Sequence, residues 1–136
     1  MANKTPPKKL GTKMRGADMK KCVFVLEDDE SLRELLTILL EQEEYEVKTY
    51  GTVVSFKQHL EQEQPDLIIM DVMLPDGDGM QVCNEVKANA ATQDIPIIMM
   101  SAHRDFSLVK HLCPAEAFIN KPFDIDYLIK NVNRYA

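Results

Sequence analysis

The sequence predicts a doubly wound α/β domain built on a five-stranded parallel sheet. Short apolar runs alternate five times with segments whose apolar residues recur at helical spacing. Several of the runs are apolar on both faces, which is typical of strands that helices cover on both sides. A chain of 136 residues is long enough for one such domain with its own core.

The strands are predicted where β-forming residues cluster between turn residues. In order, the runs are CVFVL at 22–26, EVKTY at 46–50, LIIMD at 67–71, IPIIMMS at 95–101 and AFIN at 117–120. The first, third and fourth runs are almost entirely apolar and are therefore expected at the centre of the sheet.

The helices are predicted where apolar residues return every three or four positions. Ser31 with Glu34 three residues later fits a capping box for the first helix, although Asp29 is an alternative N-cap. Thr52 and Asp124 are the N-cap candidates of the second and last helices. The predicted helices are 31–44, 52–62, 79–90, 104–112 and 124–135.

Charge is distributed unevenly along the chain. Residues 1–21 contain seven basic residues and one acid, whereas residues 22–136 contain nine basic and 21 acidic residues. Residues 1–20 are predicted to be a disordered basic tail, with a phosphate-binding or partner-binding arm as the alternative. Residues 21–136 are predicted to be the folded domain, whose acidity argues against direct binding of nucleic acid.

Membrane attachment and metal-binding cysteines are not indicated. No apolar run approaches the roughly 20 residues that span a bilayer, and no apolar stretch follows the N-terminal charges. We therefore expect a cytoplasmic protein. Cys22, Cys83 and Cys113 are scattered without a CxxC spacing, so neither a disulfide framework nor a zinc site is expected. Each cysteine is expected to be a small buried apolar residue.

Reactive side chains follow four of the predicted strands, at the edge where open α/β sheets bind ligands. Residues 27–29 (Glu-Asp-Asp) follow the first strand, Asp71 ends the third, Ser101 ends the fourth and Lys121 follows the fifth. Alone, each has an ordinary interpretation as a helix cap, turn residue or exposed side chain. Together they predict a site in which Mg²⁺, a lysine and a hydroxyl surround one nucleophilic aspartate, an arrangement suited to phosphoryl groups.

Four motifs contain the reactive residues and their neighbours: VLEDDE at 25–30, IIMDVMLPDGDG at 68–79, PIIMMSA at 96–102 and NKPF at 120–123. Together they give the chain a clear resemblance to the receiver domain of two-component response regulators. The resemblance covers residues 22–136. It implies a flavodoxin-like (βα)5 fold with strand order 2-1-3-4-5.

The resemblance also implies a phosphoacceptor and a metal site. Asp71 resembles the aspartate that accepts the phosphoryl group. Asp29 resembles a direct Mg²⁺ ligand, and Asp28 resembles its neighbour, which reaches the metal directly or through water. Asp71 and the main-chain carbonyl of Met73 complete the implied ligand set. The acids of the following loop, at 76 and 78, are interpreted as turn residues rather than ligands.

Three further residues match the part of the family pattern that responds to phosphorylation. Lys121 resembles the lysine that contacts a phosphoryl oxygen, and the resemblance implies a cis bond to Pro122. Ser101 resembles the hydroxyl that turns toward the phosphoryl group, and Phe118 occupies the position of the switch aromatic. The interval from Ser101 to Lys121 is shorter than the family's usual one, and Pro114 stands where glycine is common. We therefore expect a reshaped surface around segment 104–112.

The implied function is a phosphorylation-dependent signalling switch, which catalyses only its own phosphorylation and dephosphorylation. A histidine kinase or histidine phosphotransfer protein would donate the phosphoryl group to Asp71 with Mg²⁺. Because the sequence ends shortly after the last predicted helix, we expect output through contact with a downstream protein, from a monomer or a weak phosphorylation-linked dimer. Two alternatives remain. One is an aspartate-nucleophile phosphatase, although Met73 stands where that chemistry needs a second acid; the other is a phosphorylation-independent interaction module.

Overall fold

The computed structural model describes residues 20–102 and 112–136, which form a central sheet with helices on both faces. None of the helices in these two ranges is long and apolar enough to cross a membrane. The elements are, in chain order, β1 (Cys22–Leu26), α1 (Glu30–Gln42), β2 (Glu46–Tyr50), α2 (Val53–Gln62), β3 (Leu67–Asp71), β4 (Met73–Leu74), β5 (Gly77–Asp78), α3 (Gly79–Ala88), β6 (Ile97–Ala102), β7 (Ala117–Lys121) and α4 (Ile125–Tyr135).

The five long strands run parallel in one sheet, in the order β2-β1-β3-β6-β7. The two-residue strands β4 and β5 pair with each other in an antiparallel hairpin between β3 and α3. When this hairpin is set aside, the order is the expected 2-1-3-4-5, so the predicted fold class is confirmed. The hairpin was not predicted, because strands of two residues leave no alternating pattern in a sequence.

The sheet separates two hydrophobic clusters. Successive side chains of β1 point to opposite faces, so Phe24 and Leu26 join one cluster whereas Val23 and Val25 join the other. Helices α2 and α3 cover the first cluster, which we call the α2–α3 cluster, and helices α1 and α4 cover the second, the α1–α4 cluster. Burial on both faces explains why the central strands are apolar throughout.

The helix starts follow the predicted caps with one difference. Helix α1 begins at Glu30, and its N-cap is Asp29 rather than Ser31. The side chains of Thr52 and Asp124 cap α2 and α4 as predicted. The predicted helix 104–112 and the predicted tail lie outside the described residues, except for their last positions.

The expectation of three unpaired cysteines is wrong for Cys83 and Cys113, which form a disulfide across 30 positions of sequence. Their Cα atoms are 6.3 Å apart, within the range that a disulfide requires. The pair depends on the packing of α3 against the segment before β7, which no local spacing reveals. Cys22 is a free cysteine, and all three residues are buried as predicted.

Candidate functional site

Three carboxylates converge at the carboxyl edge of the sheet. Glu27 and Asp28 follow β1, and Asp71 ends β3; these two strands are neighbours, with Leu26 opposite Met70. One carboxylate oxygen from each of the three residues lies within 4.8 Å of the others. Glu27 and Asp71 are buried, whereas Asp28 is exposed. The topology thus assembles an acidic group that is open to solvent on one side.

Lys121 supplies the positive charge of this group. Its Nζ donates one hydrogen bond to Glu27 Oε1 at 2.8 Å and another to Asp71 Oδ2 at 3.0 Å. Strand β7 is separated from β3 by β6, so the side chain of Lys121 reaches past the end of β6 to contact both carboxylates. Among the residues that the structure describes, one ammonium group faces three carboxylates, so negative charge is in excess when all three are ionised.

The pKa of Glu27 and the pKa of Lys121 are both raised, but for different reasons. Burial raises the pKa of Glu27 against the opposing effect of the Lys121 hydrogen bond. Burial would lower the pKa of Lys121, but hydrogen bonds to Glu27 and Asp71 outweigh it, and the pKa of the ammonium is raised. Lys121 therefore carries its charge throughout the physiological pH range.

The structure does not bring Asp29 into this group. Its Oδ1 accepts hydrogen bonds from the backbone N–H groups of Ser31 at 2.9 Å and Leu32 at 3.3 Å, so the carboxylate turns toward α1. The residue that takes its place is Glu27, whose Oε2 accepts from the Asp29 backbone N–H at 3.0 Å. Of the two acids expected to bind the metal, Asp28 thus lies with Glu27 and Asp71, whereas Asp29 caps α1.

The sequence contains a signal that Asp29 caps the helix and that Glu27 lies at the strand end. Glu27 directly follows the last strand residue, whereas Asp29 stands immediately before the first helical residue, where aspartate is a preferred N-cap. The carboxylate of an aspartate that caps a helix accepts hydrogen bonds from the backbone N–H groups of the first turn. The family motif specifies acids at these positions, whereas the start of α1 decides which of them is a helix cap.

Ser101 and Phe118 lie on the two strands beyond Asp71. In the register of the sheet, Asp71 is opposite Met100, so Ser101 is one position further toward the carboxyl edge. The buried Ser101 hydroxyl donates to the backbone carbonyl of Ala102 at 3.1 Å. Phe118 is half-buried and packs against the α2–α3 cluster. The Lys121–Pro122 peptide bond is cis, as the resemblance implied.

The loop after Asp71 is fixed at both of its ends. The Met73 backbone N–H donates to Asp71 Oδ1 at 3.3 Å, and the Gly79 N–H donates to the carbonyl of Val72 at 2.7 Å. The side chain of Asp78 accepts from the Met80 N–H and caps α3. The loop therefore holds the backbone around Met73 next to the acidic group.

Gly79 allows a very close approach between α3 and the end of β3. A Cβ atom at this position would lie 2.0 Å from the carbonyl oxygen of Asp71 and 2.9 Å from the Cα of Val72. No side chain fits at that distance. The absence of a side chain at Gly79 is therefore a condition for the position of Asp71.

The donor atoms of this group fit a hard divalent cation. Carboxylate oxygens are the ligands that Mg²⁺ prefers, and it retains several waters when few carboxylates are present. Glu27, Asp28 and Asp71 supply three such oxygens within 4.8 Å, and their charge exceeds that of Lys121. The carboxylates of Glu27, Asp28 and Asp71 are therefore chemically suited to hold a magnesium ion.

A second group, at the opposite edge of the sheet, has a different character. Cys22, Glu46 and Glu63 also lie within 4.8 Å of one another. Here the Nζ of Lys48 sits 2.5 Å from the Glu63 carboxylate and 3.9 Å from that of Glu46. The ammonium group already neutralises much of this cluster, which is an ordinary ion pair beside a buried thiol.

Comparison with known proteins identifies the same family as the motifs. The sequence pattern of the response regulator receiver domain matches residues 23–133. The phosphate regulon transcriptional regulatory protein PhoB of Escherichia coli strain K12 is 33% identical over 119 residues, which cover 84% of this chain and 51% of PhoB. This chain spans about half the length of the curated relatives it matches.

Solved structures share the fold. The signal receiver domain of a signal transduction histidine kinase from Syntrophus aciditrophicus has a TM-score of 0.79 at 30% identity, over 85% of this chain and 89% of that one. The receiver domain of sensor histidine kinase PA1611 from Pseudomonas aeruginosa PAO1 has a TM-score of 0.76 at 22% identity, over 86% and 98%. The latter structure has a magnesium ion coordinated in its active site cleft.

Proposed function

Because the chain belongs to the response regulator receiver domain family, we propose that it is a phosphorylation-dependent signalling switch with Asp71 as its phosphoacceptor. The observation that carries this proposal is the position of Asp71. Its buried carboxylate lies at the end of a central strand, bonded to Lys121 and within 4.8 Å of two further acids. A buried carboxylate beside two further acids is costly to keep ionised, which supports a chemical role for Asp71.

The proposed reaction is a transfer from a phosphohistidine donor, on a histidine kinase or a histidine phosphotransfer protein. An oxygen of the Asp71 carboxylate forms a bond to phosphorus as the phosphorus–nitrogen bond breaks, and the released imidazole takes up a proton. Catalysis depends on positioning and on charge neutralisation, because the transition state spreads negative charge over the phosphoryl oxygens. The domain acts on itself and turns over no separate substrate.

Lys121 and the proposed metal ligands have different parts in this reaction. Lys121 keeps its charge and is placed to contact a phosphoryl oxygen once the group is attached to Asp71. Glu27, Asp28, Asp71 and the main-chain carbonyl of Met73 would hold Mg²⁺. When bound, Mg²⁺ supplies the charge neutralisation that three carboxylates and an incoming phosphoryl group require. The magnesium ion in the PA1611 receiver domain supports this part of the proposal.

The proposed output follows from two side chains. Ser101, whose hydroxyl donates to the Ala102 carbonyl in this structure, turns its hydroxyl toward the phosphoryl group. Phe118, half-buried on the neighbouring strand, repacks further inward and changes the surface around β7. A nearly complete switch between two states requires about 5.5 kcal/mol of differential interaction.

The proposed setting is a cytoplasmic phosphorelay. The signal passes to a downstream protein by contact, from a monomer or a weak dimer that phosphorylation promotes. Nucleic acid is not a direct partner of this domain, because its residues 22–136 carry 21 acids against nine basic residues.

Labelling with a small phosphodonor tests the assignment of Asp71. Wild-type protein incubated with acetyl phosphate and Mg²⁺ is expected to gain one hydroxylamine-sensitive phosphoryl group, and Asp71→Asn is expected to gain none. Asp126→Asn is the matched control, since Asp126 is an exposed acid in α4. Undiminished labelling of Asp71→Asn would overturn the proposal. Multiple turnover of a phosphomonoester would instead favour a phosphatase.

Amide NMR with beryllofluoride, a mimic of the phosphoryl group, tests the output. Mg²⁺-dependent shifts at Asp71, Ser101 and Lys121 that extend to Phe118 are expected. Shifts confined to the first three residues would mean that phosphoryl binding and the Phe118 change are not coupled. The absence of any shift would favour the phosphorylation-independent interaction module.

A further inference from the structure

The hairpin after β3 carries the proposed metal-binding carbonyl at its base and an acid at its tip. Met73 is opposite Asp78 and Leu74 is opposite Gly77, so Pro75 and Asp76 form the turn. Hairpins this short are not stable by themselves in water. The position of the Met73 carbonyl therefore depends on what holds the hairpin in place.

The tip of the hairpin is hydrogen-bonded to the N-terminus of α2. Asp76 Oδ1 accepts a hydrogen bond from the Val53 N–H at 2.8 Å, and its Oδ2 accepts from the Val54 N–H at 3.2 Å. Thr52, the N-cap, accepts from the next N–H, that of Ser55, at 3.2 Å. The first turn of any helix leaves such N–H groups without partners in the helix itself. Here the capping is shared between the helix's own threonine and the aspartate of the hairpin.

Charge and packing support the same contact. The N-terminus of a helix carries a partial positive charge, which favours a carboxylate. The two backbone hydrogen bonds lower the pKa of Asp76, mainly through that from Val53. A Cβ atom at Gly77 would lie 3.2 Å from Val53 Cγ2, and Leu74 packs against the cluster that contains Val53. The hairpin thus rests on the first residue of α2 as well as being bonded to it.

We propose that Asp76 is a positioning residue that clamps the β4–β5 hairpin to the N-terminus of α2 and so fixes the Met73 carbonyl for Mg²⁺. The inference rests on the proposed function, in which that carbonyl is a metal ligand. It extends that function because α2, which contributes no side chain to the site, then supports the hairpin that carries the Met73 carbonyl. Residues that orient metal ligands from outside the ligand set commonly change metal affinity by about 10–100-fold when they are replaced.

The test compares two variants of Asp76 with a control at the same helix end. Asp76→Ala removes both hydrogen bonds, and Asp76→Asn keeps the size and one accepting oxygen but removes the charge. Thr52→Ala is the control, because it removes a cap from the same helix and leaves the hairpin contact intact. Hydrogen exchange of the amides of Met73, Leu74 and 76–78 is measured in Mg²⁺-free protein, and Mg²⁺ affinity is measured by NMR titration with the metal alone.

Asp76→Ala is expected to exchange the hairpin amides faster and to weaken Mg²⁺ binding by about 10-fold, with Asp76→Asn in between. Thr52→Ala is expected to bind Mg²⁺ as wild type does. Equal weakening by Asp76→Ala and Thr52→Ala would overturn the inference, because the effect would then come from α2 stability alone. Unchanged affinity in both Asp76 variants would also overturn it. Failure of wild-type protein to bind Mg²⁺ would instead overturn the proposed function, and the exchange comparison would still test the clamp.

Discussion

The close contact at Gly79 predicts that the smallest possible side chain there damages both stability and phosphorylation. Gly79 is the first residue of α3, and its Cβ position in Gly79→Ala is 2.0 Å from the carbonyl oxygen of Asp71. Nonbonded carbon–oxygen contacts lie near 3.3 Å, so the start of α3 or the end of β3 must move by about 1.3 Å. On the β3 side, the atoms that would have to move belong to the backbone of Asp71, the proposed phosphoacceptor.

The energetic cost follows from two opposing effects. Added volume in a packed region destabilises by about 1–3 kcal/mol, and occasionally by more. Alanine is a better helix former than glycine by up to about 1 kcal/mol, which opposes this cost. We expect a net loss of about 2 kcal/mol, because the clashing atom is backbone rather than the end of a side chain. For a domain of this size, the corresponding fall in Tm is about 8 °C.

Two assays measure the effect. Urea unfolding followed by circular dichroism gives the loss of free energy of unfolding. The initial rate of labelling by acetyl phosphate at low temperature, where the variant is folded, reports on the site. A displacement of about 1 Å at a reacting group lowers a rate by about 100-fold.

Gly77→Ala is the matched control for this prediction. Its Cβ would meet Val53 Cγ2, the end of a side chain, at 3.2 Å, and we expect a loss below about 1 kcal/mol. A Gly79→Ala variant with the same or a higher urea midpoint than wild type would refute the reasoning. It would mean that α3 can move away from β3 at no cost.

Three further predictions concern thiols and acid stability. Denatured protein is expected to show one reactive thiol before reduction and three after it, and three thiols before reduction would disprove the pairing. Reduction of Cys83–Cys113 should lower the free energy of unfolding by about 3.7 kcal/mol, the value that loop entropy gives for this separation. Burial, with the nearby Glu63 and Glu46 carboxylates, raises the pKa of the Cys22 thiol to about 12, so its alkylation in the native state at pH 8 should be about 1000-fold slower than that of a free cysteine, and labelling at the free-cysteine rate would contradict this. Because the pKa of Asp76 is lowered by folding, its stabilising effect is complete above its unfolded value of about 3.9 and is lost as the pH falls through its folded value. The difference in Tm between wild type and Asp76→Asn should therefore shrink below pH 4. A constant difference would mean that the negative charge of Asp76 does not stabilise the folded protein.

The fold was predictable because its signals are long and redundant. Five apolar runs alternate with helical patterns, and connections between parallel strands are almost always right-handed, which leaves few topologies. The ends of the strands then determine which polar residues meet. Asp71 and Lys121 come from strands that are not adjacent, yet the prediction that they share one edge of the sheet needed only the parallel order.

The features that were missed depend on short distances that sequence patterns do not encode. Whether Glu27 or Asp29 joins the acidic group depends on the residue at which α1 begins, because the residue before it becomes the helix cap. The pairing of Cys83 with Cys113 requires the packing of α3 against a distant segment. The bonds from Asp76 to α2 join a turn to a helix 22 and 23 positions away, and the turn chemistry alone gives no hint of a partner.

The division of the core into two clusters has a consequence for how such a domain can diversify. Side chains in the α2–α3 cluster and in the α1–α4 cluster are separated by the sheet and share few partners, so the effects of substitutions in the two clusters should add. Substitutions within one cluster should instead depend on one another. A lineage could therefore remodel one helical face for a new partner while the other face, and the strand ends between them, keep their sequence.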